Sequence, residues 1–346
     1  MERKVARMQA SALGFLRGAA PLYYDILKER PELGEGPAGE GWLAGDLHVE
    51  NFGAYRPEPL GSAADRVAFD LNDFDDAFRG PWRLDVIRLA TSLILLARSR
   101  GIPGADAIKL AESLIAAHEL AHIPAPPPAV AALIDRASTR SRRVLLDART
   151  EVVSGKRRFV RGTRYRSLPA ELAREARQAF EAYAKKEDAY EICDLAFRIA
   201  GTGSLGGLRI AVLTNGKGGK NGNWMFDMKE EADSAQRVVD AMTACLEQPP
   251  RMAGTTKLGA RSMLVRRLAA QEDKLDLLRV DASELQALAC FLGAKSGAAH
   301  RRGGKREGAW KKADIKHMVD SAAELAGLHE ACYLEFCKST MASASG

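Results

Sequence analysis

Four aspartates fall within seven positions of this chain, Asp70, Asp73, Asp75 and Asp76, and the apolar residues Phe69, Leu71 and Phe74 are threaded among them. A plain solvated turn does not explain such a segment, because the rings ask for burial while the carboxylates ask for water. Like charges held this close drive one another toward protonation unless something positive sits among them. A bound cation is the economical solution, and magnesium takes oxygen ligands of this kind. The short apolar run Val67-Ala68-Phe69 leads into the cluster and reads as a strand.

At 346 residues the chain exceeds the ~150 usual for one domain, so two lobes are expected. Hydrophobic residues make up 46% and charged residues 28%, which sets it among ordinary globular proteins. The net charge of +6 suits an anionic, phosphate-bearing ligand without marking a dedicated nucleic-acid binder. Five cysteines, none in C-x-x-C spacing, argue against a disulfide scaffold or zinc ribbon and for a reducing compartment. The first residues lack the apolar stretch of a signal peptide. The longest apolar segment, Leu84 to Ile102, is broken by Asp85, Arg88, Arg98 and Arg100. A cytoplasmic protein without a membrane span is therefore expected.

Periodicity predicts one amphipathic helix over residues 1–30, ended by Pro31 and a Gly-rich stretch, then a short strand at Trp42–Ala44. Helices are predicted for Leu84–Arg98, Ala105–His122, Asp233–Glu247, Ser283–His300 and Asp314–Lys338, with Leu168–Lys186 and Ala189–Ala200 helical or mixed. The run Pro124 to Pro128 is the strongest boundary signal. Eleven basic residues between Arg136 and Arg166 read as a solvated connector with helical faces. Two β-rich runs, Leu208–Leu213 and Trp224–Lys229, flank a loop with two Asn-Gly pairs and predict a β-hairpin; Met263–Leu268 reads as another strand.

Two features then point to phosphoryl transfer. The turn Gly201-Thr202-Gly203-Ser204-Leu205-Gly206 precedes a strand rather than a helix, and the second strand after it carries Lys229. That order is how a kinase-type glycine loop covers ATP phosphates, with Gly201, Gly203, Ser204 and Gly206 near the phosphates and Lys229 pairing with them. Asp46 and Asn51 are five apart, the interval of the kinase catalytic pattern H-R-D-x-x-x-x-N. Asp46 can deprotonate an acceptor hydroxyl, and Asn51 can offer magnesium an amide oxygen. Asp73 follows its strand as a metal-binding aspartate does, with Asp70, Asp75 and Asp76 as competitors for that role.

These residues carry a resemblance. Gly45-Asp46-Leu47-His48-Val49-Glu50-Asn51 is similar to the G-D-x-H-x-x-N brace of aminoglycoside phosphotransferase-like kinases, and N-D-F-D-D-A-F-R-G-P-W-R-L-D resembles their metal segment and the helix opened by a structural Asp, here Asp85. A closer resemblance is to the domain of unknown function 2252 family. It rests on F-L-R-G from Phe15, G-D-L-H-V-E-N-F-G-A, F-D-L-N-D-F-D-D, G-P-W-R-L-D, G-T-G-S-L-G, M-K-E and G-A-A-H ending at His300, and it spans residues 7–302. The resemblance implies an α+β, bilobal, protein-kinase-like fold that binds ATP and magnesium. Because the catalytic segment precedes the glycine turn, it also implies circular permutation. It implies further that Asp240, or alternatively Glu231, pairs with Lys229. Ala44 stands where the phosphotransferases have His.

The expected parts are residues 1–122 (catalytic and metal segments), 123–188 (connector), 189–270 (nucleotide-binding lobe) and 271–346 (completing helices). The expected activity is phosphate transfer to a hydroxyl of an unidentified acceptor, with a nucleotide-binding pseudokinase as the second reading. A third is a zinc hydrolase, since His118-Glu119-Leu120-Ala121-His122 fits H-E-x-x-H. On that reading both imidazoles share one helical face. His48 is expected to brace the catalytic loop and His300 to end a packed helix.

Overall fold

The structure, a computed structural model, describes residues 2–57, 67–184, 191–199, 207–216 and 222–344. It is a mixed α+β architecture in which helices gather around one apolar helix and a separate antiparallel sheet carries the lysine strand. The central helix, Arg83–Ser99, is buried from Asp85 through Ala97. Its end follows from Gly101, whose φ of +72° lets the chain turn back, with Gly101 N–H bonding Arg98 O and Ile102 N–H bonding Ala97 O. Helices Gly104–Ala117, Leu285–Gly303 and Lys312–Ala344 pack around this region. Leu285–Gly303 approaches Gly104–Ala117 closely because Gly297 has no side chain: a Cβ there would stand 2.0 Å from His118 O.

The six-stranded sheet runs Gly254–Leu258, Arg261–Leu268, Trp224–Glu231, Arg209–Thr214, Ile192–Arg198, Tyr165–Arg166, and every pair is antiparallel. Cross-strand partners share a face. One face presents Ile210, Val212, Phe226, Met228, Met263 and Val265 to helix Ala170–Ala184, where Phe180 and Tyr183 cover them. The other face is divided. Ala196, Ala211, Leu213, Met225 and Leu268 lie under Leu146, Phe159 and Tyr165, while Arg198, Arg209, Asp227, Lys229 and Arg266 form its charged part. Two smaller three-stranded sheets hold the acidic segments. In one, Glu40–Leu43 pairs with Phe78–Pro81 and Gly304–Lys305; in the other, Phe52–Tyr55 pairs with Ala68–Leu71 and Asp273–Lys274.

Several sequence expectations need correction. The single helix over residues 1–30 is three helices, Glu2–Gln9, Ala12–Gly18 and Ala20–Glu29. Ser11 restarts the second by accepting from Gly14 N–H at 3.0 Å, and Pro21 stands in the first turn of the third. Ala189–Ala200, read as helical or mixed, contains the strand Ile192–Arg198, whose β-branched and aromatic residues pair with Arg209–Thr214. The basic connector is not only helical: Thr150–Val153 and Lys156–Phe159 form a hairpin around Ser154 and Gly155, both at positive φ. The helix predicted over Ala105–His122 ends at Ala117. Gly254–Leu258 is a strand that periodicity did not reveal. No helix among the described residues is long and apolar enough to cross a membrane.

Candidate active site

Asp85 organises the loop that holds Asp46. Fully buried in the first turn of the central helix, it accepts from Ala44 N–H at 2.7 Å and Gly45 N–H at 3.1 Å, and His300 Nε2 lies 3.2 Å from it. Gly45 has φ +82°, and a Cβ there would fall 2.0 Å from Asp76 O. A glycine is required because the Asp46 loop presses directly on the backbone of the acidic segment. Ser92 Oγ accepts from Val49 N–H at 3.0 Å, and His48 Nδ1 accepts from Glu50 N–H at 3.2 Å. Burial holds the His48 ring well below the ordinary histidine range, so this brace is a neutral imidazole.

Among the described residues, Asp46 is hydrogen-bonded by side chains through one oxygen, Oδ1. Its Oδ1 accepts from Arg88, with Nε at 3.0 Å and Nη2 closer still. Arg88 is itself buried, donates to Leu16 O at 3.1 Å, and lies over the Tyr23 ring. The nearest ion-pair partner of Asp46 Oδ2 is His48 Nε2, 3.9 Å away and beyond hydrogen-bond reach. Burial, opposed by Arg88 and assisted by Asp76 and Asp73, pushes the Asp46 carboxyl up to about 6.

Asn51 donates from Nδ2 to Asp46 O at 3.1 Å, and its backbone oxygen accepts from Asn72 N–H at 2.9 Å, next to Asp73. Its Oδ1 is buried and has no hydrogen-bond partner among the described residues. Asp73 is pushed up to about 6 by burial and by Asp75, with Lys274, Lys229 and Arg266 opposing. Lys229 pairs with Asp75 and, at 3.1 Å, with Glu231. Burial pulls its ammonium down, but those two carboxylates more than offset it and leave it above the ordinary lysine value. Burial and Asp75 push Glu231 up to about 7.

The acid beside Lys229 on its own strand is thus Glu231, whereas Asp240 is exposed and accepts from Gln236 Nε2 at 2.8 Å. Helix Ala235–Cys245 instead sends Arg237 to the acidic segment, where it donates to Asp75 O at 2.8 Å and to Ala77 O. Asp70 faces away from Lys229, toward Lys295 at 3.6 Å and Arg302 at 3.5 Å. Gly201, Gly203, Ser204 and Gly206 lie outside the described residues. Sequence reasoning passed over Arg88 and Arg237. Arg88 had a visible signal, since it is the lone cation in the buried stretch from Asp85 to Ala97.

The H-E-x-x-H segment does not present two imidazoles on one helical face. The helix ends at Ala117, so His118 caps it and His122 lies beyond it. His118 Nε2 is 2.9 Å from His300 Nδ1, and its ring stacks on Trp310 at 4.3 Å. Among the described residues no group of three or more His, Cys, Asp or Glu side chains is gathered to hold a metal ion.

A family model described as an uncharacterized protein conserved in bacteria, DUF2252, matches residues 1–123 and 125–339. The chain belongs to that family. No curated protein and no solved structure matches it.

Proposed function

We propose that this member of the DUF2252 family is an ATP- and magnesium-dependent phosphotransferase acting on a hydroxyl acceptor, built on a permuted kinase-like fold of two lobes. The observation that carries the reading is the meeting of Lys229 with the acidic segment at Asp75, 154 residues away in sequence. Asp46 and Asn51 stand on the loop that touches the same segment. A phosphate chain seated where Lys229 meets this segment would find a cation from the sheet, and carboxyl and amide oxygens from the loops.

The oxygen set fits magnesium. Among the described residues Asn51 Oδ1 is buried without a hydrogen-bond partner, and burial together with the neighbouring Asp75 raises the Asp73 carboxyl against the pull of Lys274, Lys229 and Arg266. Magnesium in such sites is held by one or two protein oxygens plus substrate phosphates, so a cage of three acidic side chains is not needed. When bound, the ion would neutralise charge on the phosphates, with Asn51 and Asp73 holding it. Arg88 fixes Asp46 through Oδ1 and leaves Oδ2 to accept the acceptor's hydroxyl proton. A carboxylate with a pKa of about 6 is ionised at neutral pH and remains a useful base. A permuted order is tolerable here, since Tyr333 OH donates to Gln9 O at 2.8 Å and helices Glu2–Gln9 and Lys312–Ala344 adjoin.

Thermal unfolding tests the reading. At a hundredfold excess over Kd, a ligand that binds only the folded state adds about 2.7 kcal/mol, raising Tm by roughly 2–4 °C per kcal/mol or somewhat less at this size. Magnesium plus ATP should give this shift, and ATP alone a much smaller one. Asp73→Asn should erase the magnesium-dependent part. The same variant should stabilise the ligand-free protein, with a defined pH dependence. Since folding raises the Asp73 pKa from 3.8 to about 6, the ionised side chain costs stability fully above pH ~6 and not at all below ~4. The gain in Tm should therefore grow across that window. A full shift without phosphate release to water or any acceptor would favour the pseudokinase.

A further inference from the structure

The positive charge of the chain is gathered in one place. Residues 136–166 hold eleven basic and two acidic residues, whereas the rest of the chain has 40 basic and 43 acidic and is slightly anionic. Within this segment Thr150–Val153 and Lys156–Phe159 form a two-stranded hairpin, turned by Ser154 and Gly155 at φ +50° and +77°. Its side chains alternate between two faces. Thr150, Arg157 and Phe159 are buried on the inner face. There Phe159 N–H donates to Asp194 Oδ2 at 2.8 Å, and Arg161 pairs with the same carboxylate at 2.9 Å. The hairpin is thereby fixed to strand Ile192–Arg198, support that a lone two-stranded ribbon lacks. The pairs Val153–Lys156 and Glu151–Arg158 stand on the outer face. Val160, whose N–H bonds Arg149 O at 3.1 Å, continues that row and is exposed.

Two properties coincide on this outer surface. Arg136, Arg140, Arg157 and Arg161 are paired with Asp273, Asp147 and Asp194. Lys156, Arg158, Arg164 and Arg166 are exposed and form no ion pair among the described residues. Val144, Val152, Val153 and Val160, at 40–68% exposure, are four of the five large apolar side chains exposed among the described residues. Their confinement to residues 144–160 is not the scatter of an ordinary surface. Cations around aliphatic side chains match a partner that is anionic outside and apolar just beneath, which is an acidic lipid bilayer. Other occupants fit less well. Single-stranded nucleic acid is gripped by exposed aromatic rings, and the rings of this segment, Phe159 and Tyr165, are buried. A protein interface of ordinary size draws on about 20–30 residues a side, more than one face of this hairpin supplies.

We propose that the hairpin Thr150–Phe159 docks the protein on anionic membrane surfaces, with Lys156 and Arg158 engaging lipid headgroups and Val153 and Val160 entering between them. This docking is independent of the phosphotransferase reading. The test is flotation of the full chain with vesicles of phosphatidylcholine containing about one-third phosphatidylserine, against vesicles of phosphatidylcholine alone. A single-stranded DNA oligonucleotide is titrated alongside. The protein should float with the anionic vesicles only, and less so as salt is raised. Lys156→Gln combined with Arg158→Gln should weaken the binding about twenty-five-fold, from about fivefold per cation at the surface. Val153→Thr combined with Val160→Thr keeps the charge and the strand preference, and should weaken it about tenfold. Wild-type protein that does not float with the anionic vesicles would overturn the inference. So would either double variant floating as the wild type does, or the oligonucleotide binding more tightly than the vesicles. The substitutions fall on exposed side chains, so Tm should not change, and the wild-type comparison stands without them.

Discussion

On the proposed phosphotransferase reading, Asp46→Asn is expected to lower phosphate release from magnesium ATP by about 10²–10⁴-fold, the range for loss of a positioned acid–base group, with nucleotide binding retained. The amide oxygen of the variant still accepts from Arg88, so the loop keeps its shape and the loss falls on proton removal. Water serves as the acceptor in this assay, which frees the test from knowing the natural one. The wild-type rate should rise with pH through about 6, where Asp46 ionises, and this limb should vanish in the variant. A variant that turns over at the wild-type rate would remove Asp46 from the chemistry.

Asp85→Ala is expected to give the largest loss of stability in the molecule, about 3–5 kcal/mol, the cost of breaking a buried charged network. The deletion strands Ala44 N–H, Gly45 N–H and the His300 ring in a fully buried place. The stack of His300 on Trp82, at 5.7 Å, loses its anchor as well. Chemical denaturation should show the midpoint falling with the slope unchanged. Asp85→Asn, which keeps one acceptor oxygen, should lose less. Equal stability of wild type and the alanine variant would mean that Asp85 does not carry the loop.

The loop and its brace were legible in the sequence because their signals are local: Asp46 and Asn51 stand out by interval, and Asp85 by its place after Gly-Pro-Trp-Arg-Leu. The partner of Lys229 was harder. Asp240 lies on a helix whose register decides which side chain turns inward, and Arg237, one turn earlier, turns to the acidic segment instead. Glu231 needed only strand alternation, which puts residues 229 and 231 on one face. The H-E-x-x-H segment fits its pattern by sequence alone, but the helix ends at Ala117, just before it, where Gly297 brings the neighbouring helix backbone against His118 O. Ala189–Ala200 read as helical or mixed because Ile192–Arg198 is a strand only by virtue of its neighbour Arg209–Thr214. No local pattern could have joined Arg198, Arg209 and Arg266 around Asp227, because that cluster exists only once four strands have found their register.

The most direct measurement is a crystal structure with magnesium and a non-hydrolysable ATP analogue. The account predicts the triphosphate between Lys229 and Asp73, the metal on Asn51 Oδ1 and Asp73, and the terminal phosphate facing Asp46 Oδ2. Nucleotide bound elsewhere, or with its phosphates turned away from Lys229 and Asp73, would contradict it.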